Sequence, residues 1–560
     1  MKTSDGVWFP AACVALVVVS SAMGDGFDDA IAIVPGNAPW AIVVPSLSKA
    51  AVDLGECLAS MDRKEGAIVG RPMDHLRAFL EAREGFDESG SFAAWAGVGT
   101  ADRPDLLLLI PAADPAAYIA AHPTRAEDGS LLVRGESFYA RAFARHLLVS
   151  KSKAAVESFA TGEPLAKAIE AEFGGEGVAQ ARAADVAAWI ATPDAARAAA
   201  AVAPAPMALN DLGAIGSGFT ATLVLADIDP LGLSIRTRSK IAEGSSLSQL
   251  AARCRTGADA AQRKPLAGLY GGPFLVAGGV DVAALGGRES IIDLASMVSV
   301  ADRVPSWLTS GETTIGAVRF ASYPSKLGVL AGGLLNDAAL VIESSSPGKL
   351  RDALKEWVLA QEGIANGVRR TPSWEDGRAL KDGSTADAFE VKETPLGPSE
   401  AQGVDLAEVA AQRMAAQALL GPRGLHGFAK VTPTSLVITF SQRPDVFGRA
   451  VAAAGASESL SDDAVIKSME SRLLPGAQVE AYLSVGQLLK AIRQLADMFG
   501  GAGGALPNIS SKAPPVAWAF RAAPREASMA LVVPTPVLSA AIDQVLAGQV
   551  AAPKRDRAPE

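Results

Sequence analysis

The feature that most constrains the fold of this 560-residue chain is an internal repeat of short segments in a fixed order. Residues 39–44 form an apolar run that begins with a proline, and the helical pattern after it ends at Met61. Residues 273–277 form a similar proline-led run, and the helical pattern after it ends at Met297. The distance from the proline to the methionine is nearly the same in both copies. This repeat predicts two copies of one structural unit, because single cores seldom grow to such a size.

Later segments match in the same order. In chain order the further matches are 106–110 with 339–342, 147–149 with 436–438, 186–190 with 479–483, and Pro230 with Pro524. The late matches are displaced further along the chain than the early ones, so the second copy contains an insertion over about 366–425. The insertion is rich in Gly, Pro and charged residues, with one predicted helix over 406–420. The predicted organisation is therefore a first unit over 31–262, a second over 265–547 and a disordered tail over 548–560.

Helical and strand patterns alternate within each unit. Four residues from Leu54 to Met61 recur at the spacing i, i+3, i+4, i+7, so that one face of a helix is apolar. The apolar runs 221–225 and 233–237, joined by an Asp-Pro turn, predict an antiparallel hairpin. The predicted fold class is α+β, with antiparallel sheets, helices packed on one face of each sheet, and a tandem duplication of the whole unit.

The charge balance excludes some classes of partner. The chain has 51 Lys and Arg residues against 61 Asp and Glu residues, for a formal net charge of −10. Nucleic acid and anionic membrane surfaces require a basic face on the protein, so we expect neither as the main partner. After the N-terminal run, no apolar stretch is long enough to predict a transmembrane segment. No motif predicts a cofactor or a phosphate-binding loop.

Residues 1–24 have the pattern of a signal peptide. Lys2 precedes an apolar stretch over residues 7–19, and small residues follow at positions 20–22. The stretch is shorter than the roughly 20 residues that span a bilayer. The pattern predicts export, to the periplasm or the cell exterior, with a disordered or buried N-terminus as the alternative.

The arrangement resembles a family of uncharacterised exported bacterial proteins that share a domain of unknown function. The segments that carry the resemblance are the proline-led apolar strand in 34–44, the segment 92–99 ahead of 106–110 and Asp114-Pro115, and the strand-to-helix step at 147–150. The resemblance covers most of residues 31–545. It implies an exported α+β protein and supplies no catalytic residue.

Ser46 and Lys49 lie at a predicted strand-to-helix junction with the spacing Ser-x-x-Lys. Serine acyl-enzymes that recognise penicillin place a nucleophile and its activating lysine in this way. The accompanying Ser-Asp-Asn element is missing, and Ser150 and Lys153 repeat the spacing by coincidence. Ser46 and Lys49 are therefore candidate catalytic residues, with capping of the helix by the serine as the alternative.

Asp227 and Asp229 follow an apolar strand pattern, and paired carboxylates suit a hard divalent cation. They are the candidate metal ligands of the chain. The alternative is a hairpin turn closed by Pro230, which needs no metal.

Two cysteines, Cys57 and Cys254, remain after removal of residues 1–24. Cys57 lies in the first predicted helix of the first unit, and Cys254 ends the helix that closes that unit. An oxidising compartment permits a disulfide between them, since the ends of a compact unit often lie close together. Two separate thiols packed in the core are the alternative.

These patterns lead to a functional hypothesis with two alternatives. We expect a non-catalytic exported protein that binds a partner or scaffolds an assembly in the cell envelope. One alternative is a carrier of an apolar ligand such as lipid, because Ala-rich helices over a sheet can leave a cavity. The other is a hydrolase of the serine acyl-enzyme type, built on Ser46. The expected partners are accordingly an envelope protein or an apolar ligand.

Overall fold

A computed structural model describes most of the chain after residue 25. The described ranges are 26–61, 85–97, 105–121, 130–133, 136–191, 218–255, 264–297, 304–309, 313–365, 368–396, 417–498 and 506–551, with short gaps at 86, 327, 329–331, 336 and 457. The predicted signal peptide, most of the predicted helix over 406–420 and residues 552–560 lie outside these ranges.

The chain divides into two compact units. The first comprises Met1–Gln249 with Arg525–Met529, and the second comprises Leu250–Pro524 with Ala530–Glu560. Both units are α+β, and their strands pair in an antiparallel manner throughout the described residues. None of the described helices is both long enough and apolar enough to cross a membrane.

The first unit contains a sheet with the strand order β5-β6-β3-β2-β1-β7-β8-β9, and the short β4 pairs with β5. Its strands are β1 (Trp40–Val44), β2 (Phe92–Ala96), β3 (Leu106–Pro111), β4 (Leu131–Val133), β5 (Glu136–Phe143), β6 (His146–Ser150), β7 (Val186–Ile190), β8 (Phe219–Asp229) and β9 (Gly232–Ile241). Its helices are α1 (Gly26–Ile33), α2 (Leu47–Ser60), α3 (Pro115–Ala121), α4 (Lys153–Ser158) and α5 (Leu165–Ala183), and α6 (Ser246–Arg253) leads into the second unit.

The second unit contains a sheet with the order β13-β14-β15-β16-β17-β12-β11-β10-β18-β19-β20. Its strands are β10 (Val276–Val280), β11 (Ile315–Ser322), β12 (Ala338–Ser344), β13 (Gly363–Ala365), β14 (Val368–Ala379), β15 (Thr385–Pro395), β16 (His426–Val431), β17 (Ser435–Thr439), β18 (Val479–Leu483), β19 (Val516–Ala523) and β20 (Glu526–Pro534). Its helices are α7 (Glu289–Met297), α8 (Ser306–Thr309), α9 (Pro347–Leu359), α10 (Pro444–Ala454), α11 (Ala464–Glu470), α12 (Val485–Met498) and α13 (Thr535–Ala551).

Helices cover both faces of the first sheet. Leu109 packs in a core that includes residues of α1, α4 and α5. The next residue along β3, Ile110, packs in a separate core with Leu47 of α2 and residues of α3. Successive side chains of a strand point to opposite faces, so the two cores lie on opposite sides of the sheet.

The second sheet is covered in the same manner. Val341 of β12 packs with residues of α10 and α11. The adjacent Ile342 packs on the opposite face with residues of α9 and with Trp307 of α8. We call the side that Val341 faces the inner face of the second unit.

The predicted α+β class and antiparallel sheet are confirmed. The prediction that helices pack on one face of each sheet is wrong, because helices cover both faces. The reason is visible in the strands themselves. β2 and β6 are buried at every position, and β3 is buried at all but its first residue. Continuous apolar runs of this kind require cover on both faces, whereas a half-exposed strand alternates with polar residues.

The inserted region contains a hairpin that the sequence patterns did not predict. β14 pairs with β15 along its length, and β15 continues the sheet through its pairing with β16. The pattern of Gly, Pro and charge arises because the exposed positions of β14 are polar. The predicted hairpin of β8 and β9 is confirmed. The predicted disordered tail begins too early, because α13 extends to Ala551.

We predict that Leu109→Ala and Ile110→Ala each destabilise the protein by about 2 to 5 kcal/mol, because both side chains are buried in filled cores. The control Val52→Ala, at a side chain that is 55% exposed, should change the stability by less than about 0.5 kcal/mol. Urea unfolding of the full chain measures all three. A near-neutral effect of either core variant would mean that one face of the sheet is uncovered.

Candidate functional site

Ser46 and Lys49 are brought to the start of α2, as the sequence predicts, but their polar groups bind other partners. The Ser46 hydroxyl donates to the carbonyl oxygen of Ser89 at 3.1 Å and makes no capping bond to the helix. Lys49 Nζ forms an ion pair with Asp185 and a second with Asp53, whose Oδ2 lies 3.1 Å away. The lysine thus joins α2 to the residue that precedes β7.

Asp185 is the centre of this contact. Its side chain is only 1% exposed, and its Oδ2 accepts a hydrogen bond from the Ile228 N–H of β8 at 2.6 Å. Burial disfavours the charged form of Lys49, but the hydrogen bonds and negative charges of Asp185 and Asp53 outweigh it and raise the pKa of the lysine. A lysine held as a cation cannot take a proton from a serine, so this geometry does not supply the base of an acyl-enzyme.

Asp227 and Asp229 lie at the hairpin between β8 and β9. Arg236 donates to Asp227 Oδ2 at 2.6 Å across the two strands. Asp229 Oδ1 accepts from the N–H groups of Leu231 and Gly232 at 2.7 and 3.1 Å, which closes the turn. Both carboxylates therefore accept hydrogen bonds from groups of the same hairpin. Within the described ranges, no group of three or more His, Cys, Asp or Glu side chains is arranged to hold a metal ion.

Cys57 and Cys254 are both buried thiols, so the permitted disulfide is not formed. Cys57 packs on the buried side of α2 in the first unit. Cys254 belongs to the second unit, which begins at Leu250, and its Sγ donates to the carbonyl oxygens of Leu250 and Leu285 at 3.4 and 3.8 Å. Burial raises the pKa of the Cys254 thiol to about 11. The structure thus contains the alternative, two separate buried thiols, and places Cys254 in the second unit, whereas the sequence pattern assigns it to the first.

A buried acid on the inner face of the second unit was not predicted from the sequence. Glu480 of β18 is 8% exposed, and its Oε2 accepts a hydrogen bond from the Tyr482 hydroxyl at 2.8 Å. Burial raises the pKa of Glu480 to about 7, the Tyr482 hydrogen bond opposes that rise, and the charge of Glu470 adds to it. The sequence signal was available, because Glu480 stands between Val479 and Ala481 in a segment that the repeat matches with the apolar run 186–190.

A second polar group on this unit consists of Tyr270, Tyr323, Asp337, Arg443 and Arg449, which we call the tyrosine cluster. The two tyrosine rings stack at 3.8 Å with an interplanar angle of 14°, and Arg449 Cζ lies 4.6 Å from the Tyr270 ring centroid. The Tyr323 hydroxyl donates to the Tyr270 carbonyl oxygen at 2.8 Å. Arg443 Nη1 pairs with Asp337 Oδ2 at 2.8 Å.

Two buried polar atoms of this cluster, Tyr270 Oη and Asp337 Oδ1, have no hydrogen-bond partner among the described residues. The same is true of the neighbouring Ser441 Oγ. The pairing of β11 with β12 and of β12 with β17, continued by one residue, places Tyr323, Asp337 and Ser441 opposite one another. Buried polar atoms of this kind usually bind an ordered water. No sequence pattern could reveal the cluster, because its members come from distant segments that meet only through the strand register.

Comparisons of the chain with protein-family models, with curated proteins and with solved structures found no match. The resemblance to exported proteins with a domain of unknown function therefore stays a prediction.

We predict that Lys49→Met destabilises the fold by about 1 to 3 kcal/mol, because it leaves the buried Asp185 carboxylate without its cation. The effect is below that of a fully buried pair, since the Lys49 side chain is 37% exposed. The control Lys151→Met removes a pair whose side chains are 50% and 46% exposed and should cost less than about 0.5 kcal/mol. Equal effects of the two variants in urea unfolding would refute the anchoring role of Lys49.

Proposed function

We propose that this chain is an exported, non-catalytic protein that binds a partner or scaffolds an assembly in the cell envelope. The main support is that the candidate catalytic and metal-binding side chains bind other groups of the protein. Lys49 is bound by two carboxylates, and Asp227 and Asp229 bind Arg236 and the hairpin turn. Their polar groups contribute to the stability of the first unit. Export is supported by the signal-peptide pattern of residues 1–24.

We propose further that the two units arose by tandem duplication. The strand order β5-β6-β3-β2-β1-β7-β8-β9 of the first unit corresponds, strand for strand, to β16-β17-β12-β11-β10-β18-β19-β20 of the second. The residue registers support the same correspondence, because Trp40 pairs with Ile190 and Val276 pairs with Leu483. The sequence repeat aligns Ile190 with Leu483. Trp40 aligns with Val276 by the displacement of 236 between Met61 and Met297, which is two residues more than the displacement between Pro39 and Pro273.

Hydrogen bonds outside the strands add support to the duplication. Leu47 N–H donates to the Gly90 carbonyl oxygen in the first unit, and Ala283 N–H donates to that of Gly316 in the second. Likewise, Ala112 N–H donates to the Arg145 carbonyl oxygen in the first unit, and Ser344 N–H donates to that of Thr434 in the second. One side-chain contact recurs too. Asp185 accepts from Ile228 N–H in the first unit, and Gln478 accepts from Ala522 N–H at 2.7 Å in the second. Such contacts at strand ends do not follow from strand order alone, so their recurrence favours a common origin.

The β14–β15 hairpin is the proposed binding surface. At the corresponding place the described part of the first unit has only the three-residue β4. The buried side of the hairpin is fixed to α9, because Arg351 donates to Asp387 at 2.7 Å and its Cζ lies 5.5 Å from the Trp374 ring centroid. The opposite side of β14 exposes a row of polar residues: Arg369, Thr371, Ser373 and Glu375. This polar, exposed row has no counterpart in the described part of the first unit, and we propose that it contacts a protein partner.

We predict that the full chain with a photo-crosslinking residue at Ser373 forms a discrete adduct in the envelope of its native cells. Excess unlabelled chain should compete for the adduct, because the surface is specific. The matched control carries the same residue at Val52, an exposed position of the first unit, and should give no adduct. Loss of residues 1–24 should abolish both export and adduct formation. Equal labelling at both positions, or an intracellular location of the intact chain, would contradict the proposal.

A further inference from the structure

Residues 264–274 form an irregular segment, which we call the strap, that lies against the inner face of the second unit. At one end Lys264 pairs with Asp462 at 2.8 Å. In the middle Leu266 and Leu269 are buried, and the Leu269 carbonyl oxygen accepts from Leu460 N–H at 2.7 Å. At the other end Tyr270 stacks on Tyr323 of the tyrosine cluster. The strap is therefore docked through contacts along its length.

Glu480 lies beside the strap. It pairs directly with Gly279 of β10, and a Cβ atom at residue 279 would overlap the carbonyl oxygen of Pro265 in the strap. Opposed residues in an antiparallel pair have Cβ atoms about 5 Å apart, so the Pro265 carbonyl oxygen, at the place of a residue-279 Cβ, lies about 5 Å from the Glu480 Cβ. An ionised carboxylate at this place would face a carbonyl dipole of like sign.

Among the described residues, Glu480 forms no ion pair that would compensate such an anion. Glu470 of α11 contributes a like charge, and Tyr482 on the same strand contributes one hydrogen bond. Arg319 of β11 lies across Gly279, but its Nη2 is bound to Glu343 of β12 at 3.1 Å. Lys264 and Lys467 both pair with Asp462. The surroundings of Glu480 thus favour its protonated form.

We propose that residues 264–274 act as a pH-sensitive strap, which is docked on the inner face while Glu480 is protonated and is loosened when Glu480 ionises. The direction of the pH dependence follows because strap docking and protonation of Glu480 are linked. The docked state holds the Glu480 proton up to about pH 7, whereas an exposed glutamate releases it near pH 4.3. Docking is therefore strongest below about pH 4.5, weakens as the pH rises, and becomes constant once the pH exceeds about 7.

The test is amide hydrogen exchange of the full chain at pH 5, 6, 7 and 8, corrected for the intrinsic exchange rate. We expect the protection of strap amides to fall by up to about tenfold per pH unit between pH 5 and 7, and to level off above pH 7. In Glu480→Gln the protection should be independent of pH. Glu356→Gln, at an exposed acid of α9 on the opposite face of the sheet, is the control and should retain the wild-type profile.

Glu470→Gln provides a second variant if Glu480→Gln folds poorly. Removal of the Glu470 charge should lower the pH at which strap protection levels off. Residues 30–38 of the first unit should show no pH dependence over the same range. A flat wild-type profile, an unchanged profile in Glu480→Gln, or a parallel change in residues 30–38 would each overturn the proposal.

Discussion

The burial of both faces of the middle strands is the constraint on which the rest of each unit depends. β2 and β6 in the first unit, and β17 in the second, have no exposed position. A strand of this kind is stable only when packed side chains lie above and below it. Each sheet therefore needs helices on both sides, and the connections between strands supply them. The side chains at strand ends must then find partners inside the protein, which explains why Asp185 and Gln478 bind backbone N–H groups.

The proposed duplication allows residues of the second unit to be compared with their counterparts in the first. On that correspondence Ala187 and Val43 of the first unit occupy the places of Glu480 and Gly279. The first core thus has apolar side chains where the second has a carboxyl and the space that the Pro265 carbonyl fills. Buried carboxyl groups reduce stability unless they are protonated or bound. The buried Glu480 carboxyl therefore lowers the stability of the second unit, which is the reason for assigning it a role beyond packing.

Much of the fold could be predicted from the sequence, and the chemistry of the candidate site could not. The apolar runs that the proposed repeat compares overlap strands of the structure, because apolar runs and turn prolines are local signals. The uninterrupted apolar run of β3 indicates that helices cover both faces of the sheet, whereas the predicted fold has helices on one face only. Ser46 and Lys49 were placed correctly at the start of α2. The role of Lys49, however, depends on Asp185, which lies 136 residues away along the chain, and only folding brings the two together.

The most direct test of the central claim is native-state hydrogen exchange over all strands of the full chain at one pH. Exchange ranks segments by the free energy needed to expose them. We predict that the slowest amides lie in β2, β3 and β6 of the first unit and in β12, β16 and β17 of the second, with β14 exchanging faster. Slowest exchange in β14, or strong protection confined to one unit, would contradict the claim that each unit is built on strands sealed on both faces.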